Sequence, residues 1–416
     1  MKKTLVLAAW VMLMAGCSEK TPVEPKAETP GKTVGWRSDG SGHFQNVQAP
    51  VTWNEENKKG IVWRAKVGKG QSSPVVAGDC VFVSAEEDLL TCVDRKTGKV
   101  LWQKENGFKS LPPEMKVEEK RAPTDPGCGL ATPTPVSDGK HVWTTYGTGI
   151  VVCYDRDGNR RWVRYIDLPQ MTEYGRSASP VLVDGKLIVS IGHVIALDPV
   201  TGKTLWDANE VETMYYGTPA AAKIGEVTVL VTPMGDVVRV ADGKLLAREI
   251  AGLDYNGPIV RNGVVYFGGV VLTALKLPEK TDGPFKVKTL WETELEGEFF
   301  SSPVWHDDIL YVAGNEGILF ALDAVKGTIV WQKEIPIPSA SGMTGEAANI
   351  YPSLAVADGK LYLANDAGYM LVLVPGREYK EAAQNEIDDG SGASPVFDGK
   401  HLFLRGGDKL YCIGPK

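Results

Sequence analysis

The sequence predicts an all-β fold: an eight-bladed β-propeller of four-stranded antiparallel blades, its ring closed by a strand from the N-terminal side. Three observations predict it. A small-small-Pro-apolar signature recurs along the chain, a Trp-bearing strand recurs between its copies, and one such strand stands orphaned ahead of the first copy. The composition agrees with this. At 43 % hydrophobic and 23 % charged the chain is an ordinary folded protein, and 46 Gly with 26 Pro supply the turns that many short strands demand. A formal net charge of −7 argues against a protein that neutralises phosphates with basic residues, so no nucleic-acid partner is expected.

The first element is an export address. Lys2 and Lys3 precede an apolar run from Leu5 to Met14, too short to span a bilayer as a permanent helix, and then Ala15, Gly16 and Cys17. Small residues directly before a Cys resemble the bacterial lipobox, which implies cleavage after residue 16 and lipidation at Cys17; simple cleavage near Gly16, giving a soluble periplasmic protein, is the alternative. Ser18 stands where an Asp would suggest inner-membrane retention, so the resemblance points to the outer membrane. Residues 1–17 thus read as signal peptide and lipid site, 18–35 as a Pro-rich tether, and 36–416 as the propeller.

The repeat is clearest at Ser72-Ser73-Pro74-Val75, Ser301-Ser302-Pro303-Val304 and Ala393-Ser394-Pro395-Val396. Its prolines are Pro74, Pro135, Pro180, Pro219, Pro258, Pro303, Pro352 and Pro395, which makes eight units. Within a unit a Gly-Lys turn opens one strand, a second ends in small-apolar-Asp, and a third carries Trp, so each unit is a four-stranded meander. Ala247 and Ala383 occupy the Trp position in two units. The eighth unit ends at Cys412 with no Trp strand, whereas Gly60-Ile61-Val62-Trp63-Arg64 precedes the first unit. Lending that strand to the last blade pairs both open edges.

Ala196-Leu197-Asp198-Pro199-Val200-Thr201-Gly202-Lys203-Thr204-Leu205-Trp206 carries an Ala-x-Asp-x-x-Thr-Gly-x-x-x-Trp blade motif. With it the chain resembles the PQQ-like eight-bladed β-propellers over residues 36–416. That family includes quinoprotein alcohol dehydrogenases and the BamB-like lipoproteins of outer-membrane assembly. A lipid site followed by a single propeller is similar to the BamB-like layout, and the preface Gly35-Trp36-Arg37-Ser38-Asp39-Gly40-Ser41-Gly42 resembles that of BamB-related bacterial lipoproteins.

The cysteines and histidines offer little chemistry. Cys92, Cys153 and Cys412 fall where other blades have Ala196, Ala274 and Ala321, and are expected as small core fillers. Pairing of Cys80 with Cys128, or with Cys92 across a hairpin, remains open. The vicinal Cys-Cys pair familiar in quinoprotein alcohol dehydrogenases is missing, as is a haem-attaching Cys-x-x-Cys-His. The five histidines are scattered without metal-ligand spacing.

Extra residues are spent between the outer strand of one blade and the inner strand of the next, after Trp102, Trp162 and Trp331. Propeller geometry puts all three insertions on one face. At the inner rim of that face stand Tyr216, Tyr255 and Phe300, one residue earlier Tyr215, Asp254 and Phe299, and Arg176 in the third unit. An aromatic sector beside an Arg suits stacking of a sugar, a quinone or a partner's side chain, and blade packing is its structural alternative. The leading reading is a non-catalytic, lipid-anchored scaffold facing the periplasm. It takes no cofactor and binds an envelope protein or a small ligand, with a BamB-like part in outer-membrane assembly. The alternatives are a PQQ-dependent oxidoreductase, with PQQ, a Ca²⁺ and Asp254 as base, and a carbohydrate-binding propeller.

Overall fold

The computed structural model describes residues 34–117, 128–335 and 349–415, and contacts gather these described residues into one unit. Its sheets are those the repeat predicts. Blade one comprises Val75–Ala77, Cys80–Ala85, Leu89–Asp94 and Val100–Glu105, antiparallel and paired in that order. Blades two to seven repeat the pattern from Val136, Val181, Ala220, Ile259, Val304 and Ala355. Blade eight has three strands of its own, Val396–Asp398, His401–Gly406 and Lys409–Ile413, and takes its fourth, Ile61–Lys66, from the N-terminal side with Trp63 opposite Cys412. Short turns at Phe108–Ser110 and Pro113–Met115 are the only helical segments among the described residues.

Two latches join neighbouring blades. The outer one is the Trp. Each indole stands opposite a small residue of its own blade: Cys92 for Trp102, Cys153 for Trp162, Ala196 for Trp206, Ala274 for Trp291, Ala321 for Trp331 and Cys412 for Trp63. Its N–H donates into the next blade over 2.8–3.1 Å, from Trp63 to the Arg95 carbonyl, Trp102 to Arg156, Trp206 to Val240 and Trp291 to Ala324 among others. The ring lies on a glycine of that blade's turn. A Cβ at Gly98, Gly158, Gly202, Gly243 or Gly327 would come within 2.6–2.8 Å of the indole, and each of these residues has φ between +70° and +80°. Where the Trp position holds Ala247 or Ala383, the residue opposite is Val237 or Val372, so the pair exchanges small and large.

The inner latch explains the small residue before seven of the eight prolines; in blade seven Pro352 stands two positions early, so the latch residue is Ser353 and Leu354 takes the place of the proline. The backbone N–H of Ser73 donates to Thr134 Oγ1, Thr134 to Ser179 Oγ and Ser179 to Thr218 Oγ1, each at 3.0 Å. Gly257 donates to Ser302 Oγ, Ser302 to Ser353 Oγ, Ser353 to Ser394 Oγ, and Ser394 back to Ser73 Oγ, at 2.9–3.1 Å. One step is interrupted, between blades four and five, because Gly257 carries no hydroxyl. A Cβ there would stand 2.6 Å from the Thr218 carbonyl oxygen, and one at Gly217 would stand 2.1 Å from that of Asn256, so at this seam the two backbones approach directly.

Cys92, Cys153 and Cys412 are buried free thiols, as expected; Cys80 is a buried and Cys128 a half-buried free thiol, so neither candidate disulfide is present. Burial pushes the Cys153 and Cys412 thiols up to about 12, which leaves them inert.

Truncation through Gly68 removes the strand that closes blade eight and uncovers the edge at Lys409–Ile413, so the product is expected to aggregate on gel filtration. A monomeric truncation with an unchanged melting temperature would refute the closure. A second expectation concerns Asp88, in the hairpin of blade one. Burial, then the neighbouring Glu86 and Glu87, push its carboxyl up to about 7, and its Oδ1 is buried without a partner. Between the ordinary carboxylate value of about 4 and 7 the folded protein holds a proton that the unfolded chain has lost, so this group lowers stability as pH rises through that window. Asp88→Asn is therefore expected to raise the melting temperature at pH 8 but barely at pH 4, and an equal effect at both would contradict the assignment.

Candidate functional site

Within each antiparallel blade the chain leaves the outer strand at the same end at which the next inner strand begins, so the three insertions share one face with the prolines. Five rings form a continuous arc on that face. Tyr174 meets Tyr216 at 6.0 Å between centroids, Tyr216 stacks on Tyr255 at 5.6 Å, Tyr255 meets Phe300 edge-on at 4.5 Å, and Phe300 meets Tyr351 at 5.2 Å. The inner three are half-buried, whereas the end rings are the most open, Tyr174 at 48 % and Tyr351 at 43 % exposure. Burial raises the phenols of Tyr216, Tyr255 and Tyr351 above their ordinary value, with nearby carboxylates adding to it, so all three are neutral donors at physiological pH.

The loops that present these rings are braced from below. The Tyr216 hydroxyl accepts the Tyr174 backbone N–H at 3.0 Å, and the Tyr174 carbonyl accepts the N–H of Cys128 from the preceding insertion at 2.9 Å. Asn256 donates to the carbonyls of Gly268 and Phe299, both at 2.8 Å, and so fixes the segments that carry Tyr255 and Phe300. Asn349 joins Asn315 of blade six to Asp366 of blade seven directly before Tyr351. These are held side chains on a rigid ring rather than free loop tips.

The sequence-derived rim residues divide by position. Tyr216, Tyr255 and Phe300 face the mouth. Tyr215 is buried and bonds Ser190 at 3.1 Å, and Phe299 is buried against Phe320, so both support the rim from inside. Asp254 is exposed, and its carbonyl accepts the Tyr216 N–H at 3.4 Å. Arg176 directs its guanidinium to the carbonyls of Gly147 at 2.7 Å and Leu168 at 2.5 Å, which ties the blade-three insertion to blade two. Tyr174 and Tyr351 escaped the sequence reading because they stand at other offsets from their prolines, in or directly after the insertions. Cys17, the expected lipid site, lies outside the described residues.

Below the arc the channel is crossed by the chain's own N-terminal segment. Val34 pairs with Ser137 of blade two, and His43–Phe44 adds in parallel to Val356 and Ala357 of blade seven. Between these ends Trp36 lies against Gly257, two residues from Tyr255. Arg37, 1 % exposed, donates to the carbonyls of Pro303 at 2.8 Å and Leu354 at 2.7 Å in blades six and seven. Its guanidinium passes over Gly42, where a Cβ would stand only 2.1 Å away. Val34 and Gly35, assigned to the tether by composition, therefore belong to the folded body. Beside the crossing segment a cavity of about 310 Å³ is walled by Gly35, Trp36, residues 38–41 and the inner strands of blades two to five.

Comparison with known proteins agrees with the fold. The family model described as outer membrane protein assembly factor BamB matches residues 49–269 and 233–413. BamB of Burkholderia pseudomallei is 26 % identical over 325 residues, 73 % of this chain and 68 % of that protein, and BamB of Yersinia pestis is 24 % identical over 70 % and 64 %. A tetrathionate hydrolase of Acidithiobacillus ferrooxidans is 24 % identical over 232 residues, which is 53 % of this chain and 41 % of that protein, so the match spans well under half of it. Among solved structures, BamB from Moraxella catarrhalis superposes with a TM-score of 0.60 at 13 % identity, over 85 % of this chain and 99 % of that one. A europium-containing methanol dehydrogenase superposes with a TM-score of 0.62 at 14 % identity, over 91 % of each chain. At such identities the structural likeness speaks for the fold alone, but the family model spans most of the propeller. The chain belongs to the outer membrane protein assembly factor BamB family of PQQ-like eight-bladed β-propellers.

Proposed function

We propose that this chain is a non-catalytic, lipid-anchored scaffold of the bacterial outer membrane, facing the periplasm, whose insertion-bearing face docks an envelope protein in a BamB-like part in outer-membrane assembly. The observation that carries this reading is the five-ring arc, held on braced loops across blades three to seven. Tyr and Phe in that setting bury large area at low entropic cost, which is what an interface anchor needs. Two of the three sequence relatives named are assembly factors, and the resemblance of residues 1–17 to a lipoprotein signal supports anchoring.

The likeness to the methanol dehydrogenase adds the shared fold alone, whereas the resemblance to quinoprotein dehydrogenases implies a second reading, PQQ-dependent oxidation. The residues at the mouth fit that group poorly. Asp254, the acid nominated as base, is exposed, and among the described residues no three His, Cys, Asp or Glu side chains converge on a metal position. PQQ carries three carboxylates, whereas the mouth offers Glu173, Asp254 and Glu298 and an Arg176 already committed to two carbonyls.

Two experiments test the proposal. Cys17→Ser is expected to shift the protein from the membrane to the soluble periplasmic fraction, and unchanged membrane association would overturn the anchor. Replacing Tyr216, Tyr255 and Phe300 together with Ala is expected to weaken a crosslinked or co-purified envelope partner by well over tenfold while the melting temperature shows a folded ring; Lys186, Lys360 and Lys400 to Ala, on the opposite face, leaves it unchanged. Equal retention by both variants would remove the case for this face. Saturable uptake of PQQ in the presence of Ca²⁺ by wild-type protein would favour the enzyme instead.

A further inference from the structure

The docking reading leaves open what kind of surface the arc receives, and the charges around the rings narrow it. Carboxylates lie within electrostatic reach of the arc. Glu173 lies near Tyr216 and adjoins Tyr174 in the chain, Asp254 and Glu298 lie near Tyr255, and Glu298 and Asp366 lie near Tyr351. Within that sector little neutralises them; among the described residues the loop lysines of this face, Lys69, Lys109 and Lys116, stand in the loops entering blades one and two. Among the described residues, the loops of blades three to seven on this face hold two arginines and no lysine. Arg176 donates to two backbone carbonyls, and Arg248 is engaged by Glu210 through its carbonyl at 3.0 Å and its carboxylate at 3.5 Å.

We propose that the arc takes up an extended, arginine-bearing segment of a protein partner; this deepens the docking reading and rests on it. An aromatic face is the negative pole of the ring quadrupole and attracts a cation, and a carboxylate at the ring edge adds a charge partner for the same group. Arginine suits the pair better than lysine, because its planar guanidinium stacks on the ring while its edge donates to the carboxylate. The length of the arc selects an extended chain over a small cation. Neighbouring rings stand 4.5–6.0 Å apart across five blades, and side chains on one face of a strand recur at about 6.6–6.8 Å, two residues of roughly 3.3–3.4 Å rise each. One polyamine or quaternary amine covers a single ring or two. The strand repeat exceeds every ring-to-ring step, so an extended chain does not register ring by ring; its reach spans the arc and sets arginines against separated ring-and-carboxylate pairs. The end rings Tyr174 and Tyr351, with the most open faces, are where the outermost guanidinium groups stack.

The test uses the full-length protein and a fluorescein-labelled octapeptide of alternating Arg and Thr, read by anisotropy. The expected result is saturable binding that weakens with salt. The same peptide with citrulline for arginine is expected not to bind, and the lysine version to bind at least threefold more weakly. Two exposed-surface variants with wild-type melting curves separate the contributions. Tyr174→Ala with Tyr351→Ala is expected to lose at least fivefold in affinity, and Glu173→Gln, Asp254→Asn and Glu298→Gln together at least tenfold with a flatter salt dependence. Wild-type affinity in either variant overturns the inference, since general attraction to an acidic protein would survive the loss of two tyrosines. Spermine binding as tightly as the peptide overturns it too, in favour of a free polyamine. If the arginine peptide fails while the Tyr216, Tyr255 and Phe300 variant still loses its envelope partner, the cationic inference falls and the docking face stands; if that variant keeps its partner, the docking reading itself falls.

Discussion

The hydrogen bond from a backbone N–H at the head of one inner strand to a hydroxyl at the head of the next is what turns eight separate sheets into one body. Blades share no backbone ladder, so each inner strand begins with a buried N–H aimed sideways at its neighbour, where no strand of its own sheet can reach it. Leaving such a donor unpaired costs on the order of 1–3 kcal/mol. A Ser or Thr at the head of the inner strand removes that cost and, being short, brings adjacent strands close enough to set the inner radius. Because Ser394 hands its N–H back to Ser73, the last blade is held by the first at the axis, while Ile61–Lys66 holds it at the rim. Closure is thus made twice, at two radii.

The seam between blades four and five has neither latch, and its chemistry shows how the ring tolerates that. Gly257 replaces the hydroxyl and Ala247 replaces the Trp. At the axis, glycines at 217 and 257 let the backbones touch directly. Farther out, Leu277, Phe285 and Val287 of blade five, supplied by a longer loop between its last two strands, pack with Leu246, Ala247 and Ile224 of blade four. The other Trp-less seam, between blades seven and eight, is filled by the preface: Phe44 meets Phe397, and Trp53 is tied through its backbone to Asn385. Missing volume at a repeat position is recovered from the nearest segment outside the repeat.

Periodic features were legible in the sequence and interlocking ones were not. The eight prolines, the Trp strand, the alanines at 247 and 383 and the orphan strand at Trp63 all repeat or visibly break a repeat, so spacing alone located them. Tyr216, Tyr255 and Phe300 were found the same way, by their common offset from Pro219, Pro258 and Pro303. Tyr351 shares their place two residues before the latch position, here Ser353, but Pro352 stands two positions early and hides it; Tyr174 has no such counterpart, and its place in the arc depends on how an insertion folds back. The channel-crossing segment left no periodic trace. An Arg between Gly35 and Gly42 reads as a surface residue, and only the carbonyls of Pro303 and Leu354, more than 260 positions away, make Arg37 a buried tie.

That segment also bears on what the mouth can do. A propeller with an open axis offers a deep funnel in which a flat cofactor is enclosed on both faces. Here Trp36 reaches Gly257 directly beneath the arc, and Arg37 bridges the heads of blades six and seven, so the floor of the mouth is made of the chain itself. The rings above that floor form a shallow, curved strip, open at both ends where Tyr174 and Tyr351 stand most exposed. A small ligand on such a strip keeps much of its surface in water, and stacking on one ring, at roughly 0.5–1.5 kcal/mol, holds it weakly. A chain laid along the strip engages several rings in succession and excludes water between them. The plugged axis therefore favours the long partner over the small one, because it removes depth and leaves length.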